Sequence, residues 1–118
     1  MSRILNKSTL EELSLLGDDP RAFVSELIDA FLVEAPTLVA AVREGVARGD
    51  AGQVAGAAHA CKSMCANLGM LAMSEVARTL EVLARAGDLD AGPTLAASLD
   101  SAYDAVLGEL DTLGLATH

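Results

Sequence analysis

Apolar residues recur along this chain at three- and four-residue spacing, the repeat of helices that bury one side. Ser8 followed by Glu11 has capping-box spacing and precedes Leu10, Leu13 and Leu16, which predicts a short helix from about Ser8 to Leu16 that Gly17 ends. Asp19 and Pro20 suit an N-cap and a first helical residue, and they open a second series of Phe23, Leu27, Ile28, Phe31 and Leu32. Pro36 cannot donate to a helical ladder, so it either kinks this helix or starts a new one carrying Leu38, Val39, Val42 and Val46. The pattern leaves both open.

Gly49 and Asp50 form the next break, and Asp50 with Gln53 repeats the capping spacing ahead of a helix that ends at Gly69. Met73, Val76, Leu80 and Leu83 mark another helix, stopped at Gly87. Pro93 starts a last one with Leu95, Leu99, Ala102, Val106 and Leu110, before Gly114. Connections this short force sequential helices to run antiparallel. The expected fold is therefore all-α, an antiparallel up-down four-helix bundle with a short additional N-terminal helix, with residues 1–118 forming a single domain.

Composition agrees with helices over sheet. Of the 118 residues 52% are hydrophobic, mostly Ala, Leu and Val, with two Phe, one Tyr and no Trp. Eight basic residues against seventeen acidic ones leave a formal charge of -9, which repels nucleic-acid phosphates and anionic lipid headgroups alike. No long apolar stretch free of charge occurs and Met1 to Ser8 lacks the apolar core of a signal peptide, so a soluble cytoplasmic protein with no membrane partner is expected. Neither GxGxxG nor GxxxxGK[ST] is present, so nothing suggests ATP binding or autokinase activity. Cys61 and Cys65, four apart in one helix, read as reduced thiols packed in the core.

His59 falls near the middle of the helix that ends at Gly69. With it at zero on a helical wheel, Gly52, Ala55, Gly56, Lys62, Ser63 and Ala66 lie within roughly 60°. Val54, Ala57, Ala58, Cys61, Met64, Cys65 and Leu68 fall between about 140° and 260°, almost opposite. His59 is therefore expected to project into solvent above a low, nearly side-chain-free patch that a partner surface can approach. A neutral imidazole is nucleophilic at neutral pH, and Lys62, one turn away, can reach oxygens of a phosphoryl group on it.

The segment His59-Ala60-Cys61-Lys62-Ser63-Met64-Cys65-Ala66-Asn67-Leu68-Gly69 resembles the signature of histidine-containing phosphotransfer (HPt) domains, which place a lysine three residues after the histidine and a small-residue stretch before an Asn-Leu-Gly type ending. Phe31 with Pro36, the Gly49-Asp50 break, and Leu80-Glu81 before Ala86-Gly87-Asp88 extend the resemblance over most of the chain. The chain departs from the family at Cys61, Ser63 and Met64, where a leucine, a glycine and a small residue are usual. Ser63 alone of the three lies on the His59 face.

The resemblance implies a four-helix bundle, usually monomeric, with His59 as phosphoacceptor and Lys62 offsetting phosphoryl charge. The implied partners are response-regulator receiver domains and a hybrid or sensor histidine kinase, with Ala55, Gly56, Ser63 and Ala66 as docking surface. Such a protein is a phosphoryl carrier without its own cofactor, and any Mg²⁺ belongs to the receiver. A competing reading, resting on Ser63, is an HPt-shaped interaction module that binds signalling proteins without being phosphorylated. An acidic bundle that binds metal or hydrolyses a substrate ranks below both, because most carboxylates fall on solvated faces or helix N-termini and His118 is the only other histidine.

Overall fold

The computed structural model describes residues 20–114, with side chains from residue 25 onward. Four helices make up this span: α1 (Pro20–Arg48), α2 (Ala51–Asn67), α3 (Leu71–Arg85) and α4 (Gly92–Thr112). No strand occurs among the described residues. The short helix expected from Ser8 to Leu16 lies outside them.

Helix α1 runs unbroken through Pro36. Its buried stripe explains why: Ile28, Phe31, Ala35, Val39 and Val42 continue at three- and four-residue steps across the proline, so one face stays on the core throughout. Pro36 itself is exposed, which leaves the carbonyl of Leu32 without a helical donor on the side of the helix that water reaches.

The other breaks fall where glycine was expected to make them. Gly49, Gly69, Gly87 and Gly114 all have positive φ, between 68° and 75°, a region where a Cβ is costly. Asp50 caps α2 through a bond from the Gln53 backbone N–H to Oδ1 at 3.0 Å. The reciprocal half of the expected capping pair is not made. The Gln53 amide instead donates to the Ala41 carbonyl of α1 at 3.0 Å, and the Asp50 N–H donates to the Gly45 carbonyl at 2.8 Å. Both bonds tie the start of α2 to α1.

Each helix packs against its neighbours in the ring α1, α2, α3, α4, with α2 and α3 in the most extensive contact and α2 diagonal to α4. A single core of Ile28, Phe31, Val42, Val54, Met70, Met73, Leu80, Leu99, Val106 and Leu110 fills the bundle. Gly45 lets α1 and α2 close together: a Cβ there would stand 2.8 Å from Val54 Cγ2 and 3.2 Å from the Val54 nitrogen. Cys61 and Cys65 are free thiols with no exposed surface, their sulfurs 4.0 Å apart. The bond shared with Cys61, together with burial, pushes the Cys65 thiol far up. None of the described helices is long and apolar enough to cross a membrane.

Candidate functional site

The turn at Gly49 and the Asp50 cap set the phase of α2, and the buried stripe of Val54, Ala58, Cys61 and Cys65 turns that helix onto the core. His59 is thereby carried outward, its side chain 55% exposed. Around it Gly52, Gly56, Ala60, Ser63, Ala66 and Asn67 are all exposed, and a Cβ on Gly56 would meet no atom within 4 Å. The low patch is present.

Ala55 does not belong to it. The expected docking residue is 8% exposed. Ala55 and Lys62 are seven residues apart, two turns, so they share the edge of the His59 face that leans toward α3. Lys62 on that edge pairs with Glu81 of α3, and the open side of the patch is the opposite one, toward Gly56, Ala60 and Ser63.

What α3 brings to this edge is Glu81. Its side chain is only 8% exposed, and its two oxygens collect donors from three residues. Oε1 pairs with Lys62 Nζ at 2.7 Å. Oε2 accepts from His59 Nδ1 at 2.9 Å and from Arg85, one turn further along α3, through Nε at 2.9 Å and Nη2 at 2.7 Å. The ammonium of Lys62 and the guanidinium of Arg85, with a smaller contribution from His59, hold the Glu81 carboxyl down to about 2 against the opposing effect of burial.

The ionised carboxylate decides the state of the imidazole. A carboxylate accepts and cannot donate, so Nδ1 carries the ring proton and, in the neutral ring, Nε2 keeps its lone pair. With two cations on one carboxylate, the cluster has one positive charge to spare beside that lone pair. Such an arrangement suits a nucleophilic attack that brings negative charge onto His59.

Residues His59, Lys62, Gly56, Ser63 and Ala66 thus share one surface, as their spacing on α2 predicts, while Glu81 and Arg85 come from a different helix. Spacing along α2 could not reveal them. The available signal was on α3, where Glu81 lies one turn from both Ala77 and Ala84, two members of the buried stripe. An acid beside an apolar stripe calls for buried partners.

The Hpt domain family model matches residues 26–109. Among solved structures, histidine-containing phosphotransfer protein B (HptB) from Pseudomonas aeruginosa PAO1 superposes with a TM-score of 0.78 at 21% sequence identity, covering 93% of this chain and 91% of that one. At that identity the likeness shows the fold. No curated protein matches the chain.

Proposed function

This chain belongs to the Hpt domain family, phosphotransfer modules of two-component signalling, and we propose that His59 is its phosphoacceptor in a relay between receiver-domain aspartates. The observation that carries the proposal is the bond from His59 Nδ1 to an ionised Glu81, which leaves Nε2 as the free nucleophile on an exposed ring.

In the forward step the Nε2 lone pair attacks the phosphorus of an aspartyl phosphate in line. The Nε2–P bond forms as the bond from phosphorus to the aspartate oxygen breaks, and the aspartate leaves as a carboxylate. The imidazole becomes cationic, and Glu81 stabilises that charge through Nδ1 while fixing the ring's direction. Lys62 offsets the phosphoryl oxygens, turning from Glu81 toward them; Arg85 remains on the carboxylate when it does so. The reverse step on a second receiver returns the group to an aspartate, so the protein acts as a carrier.

Gly56, Ser63 and Ala66 form the surface on which a receiver docks in this reading, with Ser63 placed to donate its hydroxyl to a phosphoryl oxygen. The test is incubation of wild type and His59→Gln with a panel of phosphorylated receiver domains, following acid-labile phosphate on each chain. Label on wild type and none on the variant is expected. A folded wild type that binds a cognate receiver yet stays unlabelled refutes the relay and leaves a non-phosphorylated interaction module.

A further inference from the structure

Two buried side chains among the described residues are polar, Ser74 and Glu81, at 8% and 6% exposure. They stand seven residues apart on α3, two turns along one face. Both close on the same residue of α2. Glu81 takes the ammonium of Lys62 at 2.7 Å, and the Ser74 hydroxyl donates to the Lys62 backbone carbonyl at 3.1 Å.

The bond from Ser74 is not the one a helical hydroxyl makes by default. Serine and threonine within helices commonly turn back to the carbonyl one turn earlier. Thr79 does so to Glu75, at 3.1 Å, and Thr112 does so to Gly108, at 3.0 Å. The equivalent acceptor for Ser74 is the Met70 carbonyl, which accepts its backbone N–H at 3.0 Å. Its hydroxyl crosses to the neighbouring helix instead.

We infer that Ser74 is a positioning residue, which locks the rotation and register of α3 against α2 so that Glu81 meets Lys62 Nζ and His59 Nδ1 together. Ala58 and Ala77, buried on α2 and α3, carry no polar atom and so make no directional contact that would specify this. A hydrogen bond to a backbone carbonyl does specify it. The carbonyl belongs to Lys62 itself, so the point being fixed is the base of the side chain whose tip Glu81 holds. The role of this alignment in phosphotransfer rests on the function proposed above; the alignment does not.

The test compares wild type with Ser74→Ala and with Ser74→Cys, which keeps the volume but replaces the hydroxyl by a weak donor. Two readings are taken on each: the ¹⁵N imidazole spectrum of His59, and the rate of phosphotransfer from a saturating phosphorylated receiver together with its KM. Both variants are expected to keep wild-type far-UV circular dichroism while losing part of the bias toward the Nδ1–H tautomer. Transfer at saturation is expected to slow about fivefold or more at unchanged KM, the pattern of lost alignment without lost docking. Wild-type tautomer bias in both variants overturns the inference, as does a rise in KM alone. If wild type itself accepts no phosphate but its tautomer bias still depends on the Ser74 hydroxyl, the relay fails and the positioning role stands.

Discussion

Gly56 precedes His59 by one turn, is exposed, and has no atom within 4 Å of where a Cβ would stand. Gly108 of α4 shares all of these local properties except the neighbourhood, because α4 lies diagonally across the bundle from α2. Both are glycines inside helices, where glycine costs roughly 0.5–1 kcal/mol relative to alanine. The Cβ added by replacing either with leucine meets no atom within 4 Å in the free protein, and the change gains most of that amount. For a domain of this size the gain corresponds to an increase in Tm of about 2 to 6 °C.

The two variants part company on docking. A receiver that approaches the His59 patch closely has to accommodate four extra carbons at Gly56→Leu, and overpacking of a fitted contact costs about 1–3 kcal/mol. That is a rise of roughly 5- to 150-fold in the KM for phosphorylated receiver, at 1.4 kcal/mol per decade. Gly108→Leu is expected to transfer with wild-type KM. Thermal unfolding of both variants and initial transfer rates across receiver concentrations form the assay. Equal stabilisation with wild-type KM in both variants would refute the assignment of the Gly56 side of α2 as docking surface.

Two further outcomes follow from the same geometry. Glu81 has its folded-state pKa at about 2, below its ordinary value, so its contribution to stability is complete above roughly pH 4.5 and is lost as pH falls toward 2; Glu81→Gln should flatten that acid limb in pH-dependent urea unfolding and slow transfer ~10- to 100-fold, the range seen when a metal-bound histidine loses its orienting carboxylate. At Gly45 the added Cβ of Gly45→Ala meets Val54 Cγ2 at 2.8 Å and the Asp50 carbonyl at 3.3 Å, so a clash of about 1–3 kcal/mol outweighs the helix gain and a net loss near 1–2 kcal/mol is expected in equilibrium unfolding, opposite in sign to Gly108.

What could be read from the chain alone were the features that one helix determines. Gly49, Gly69, Gly87 and Gly114 punctuate it because the backbone there needs positive φ, and the outward direction of His59 follows from the apolar residues on the other side of its own helix. Features that need two helices were not legible. Whether Pro36 broke α1 depended on the core accepting a continuous stripe from Phe31 through Ala35 to Val42, which periodicity on either side of the proline did not decide. Ala55 looked exposed because a wheel shows angle and not neighbours; in the folded bundle it is buried. Glu81 is the largest gap, since its partners His59 and Lys62 lie 22 and 19 residues earlier on another helix.

The two thiols beneath His59 have a practical consequence. They are the only cysteines in the chain, and both are sealed in the core on the side of α2 facing away from solvent. An alkylating reagent can reach them only while α2 lifts from its neighbours, so under fast reclosing the labelling rate counts the fraction of time the helix stands open. The protein thus contains its own gauge of local opening in the segment that carries the histidine, and how that gauge changes when a receiver docks would measure whether the partner clamps α2 or loosens it.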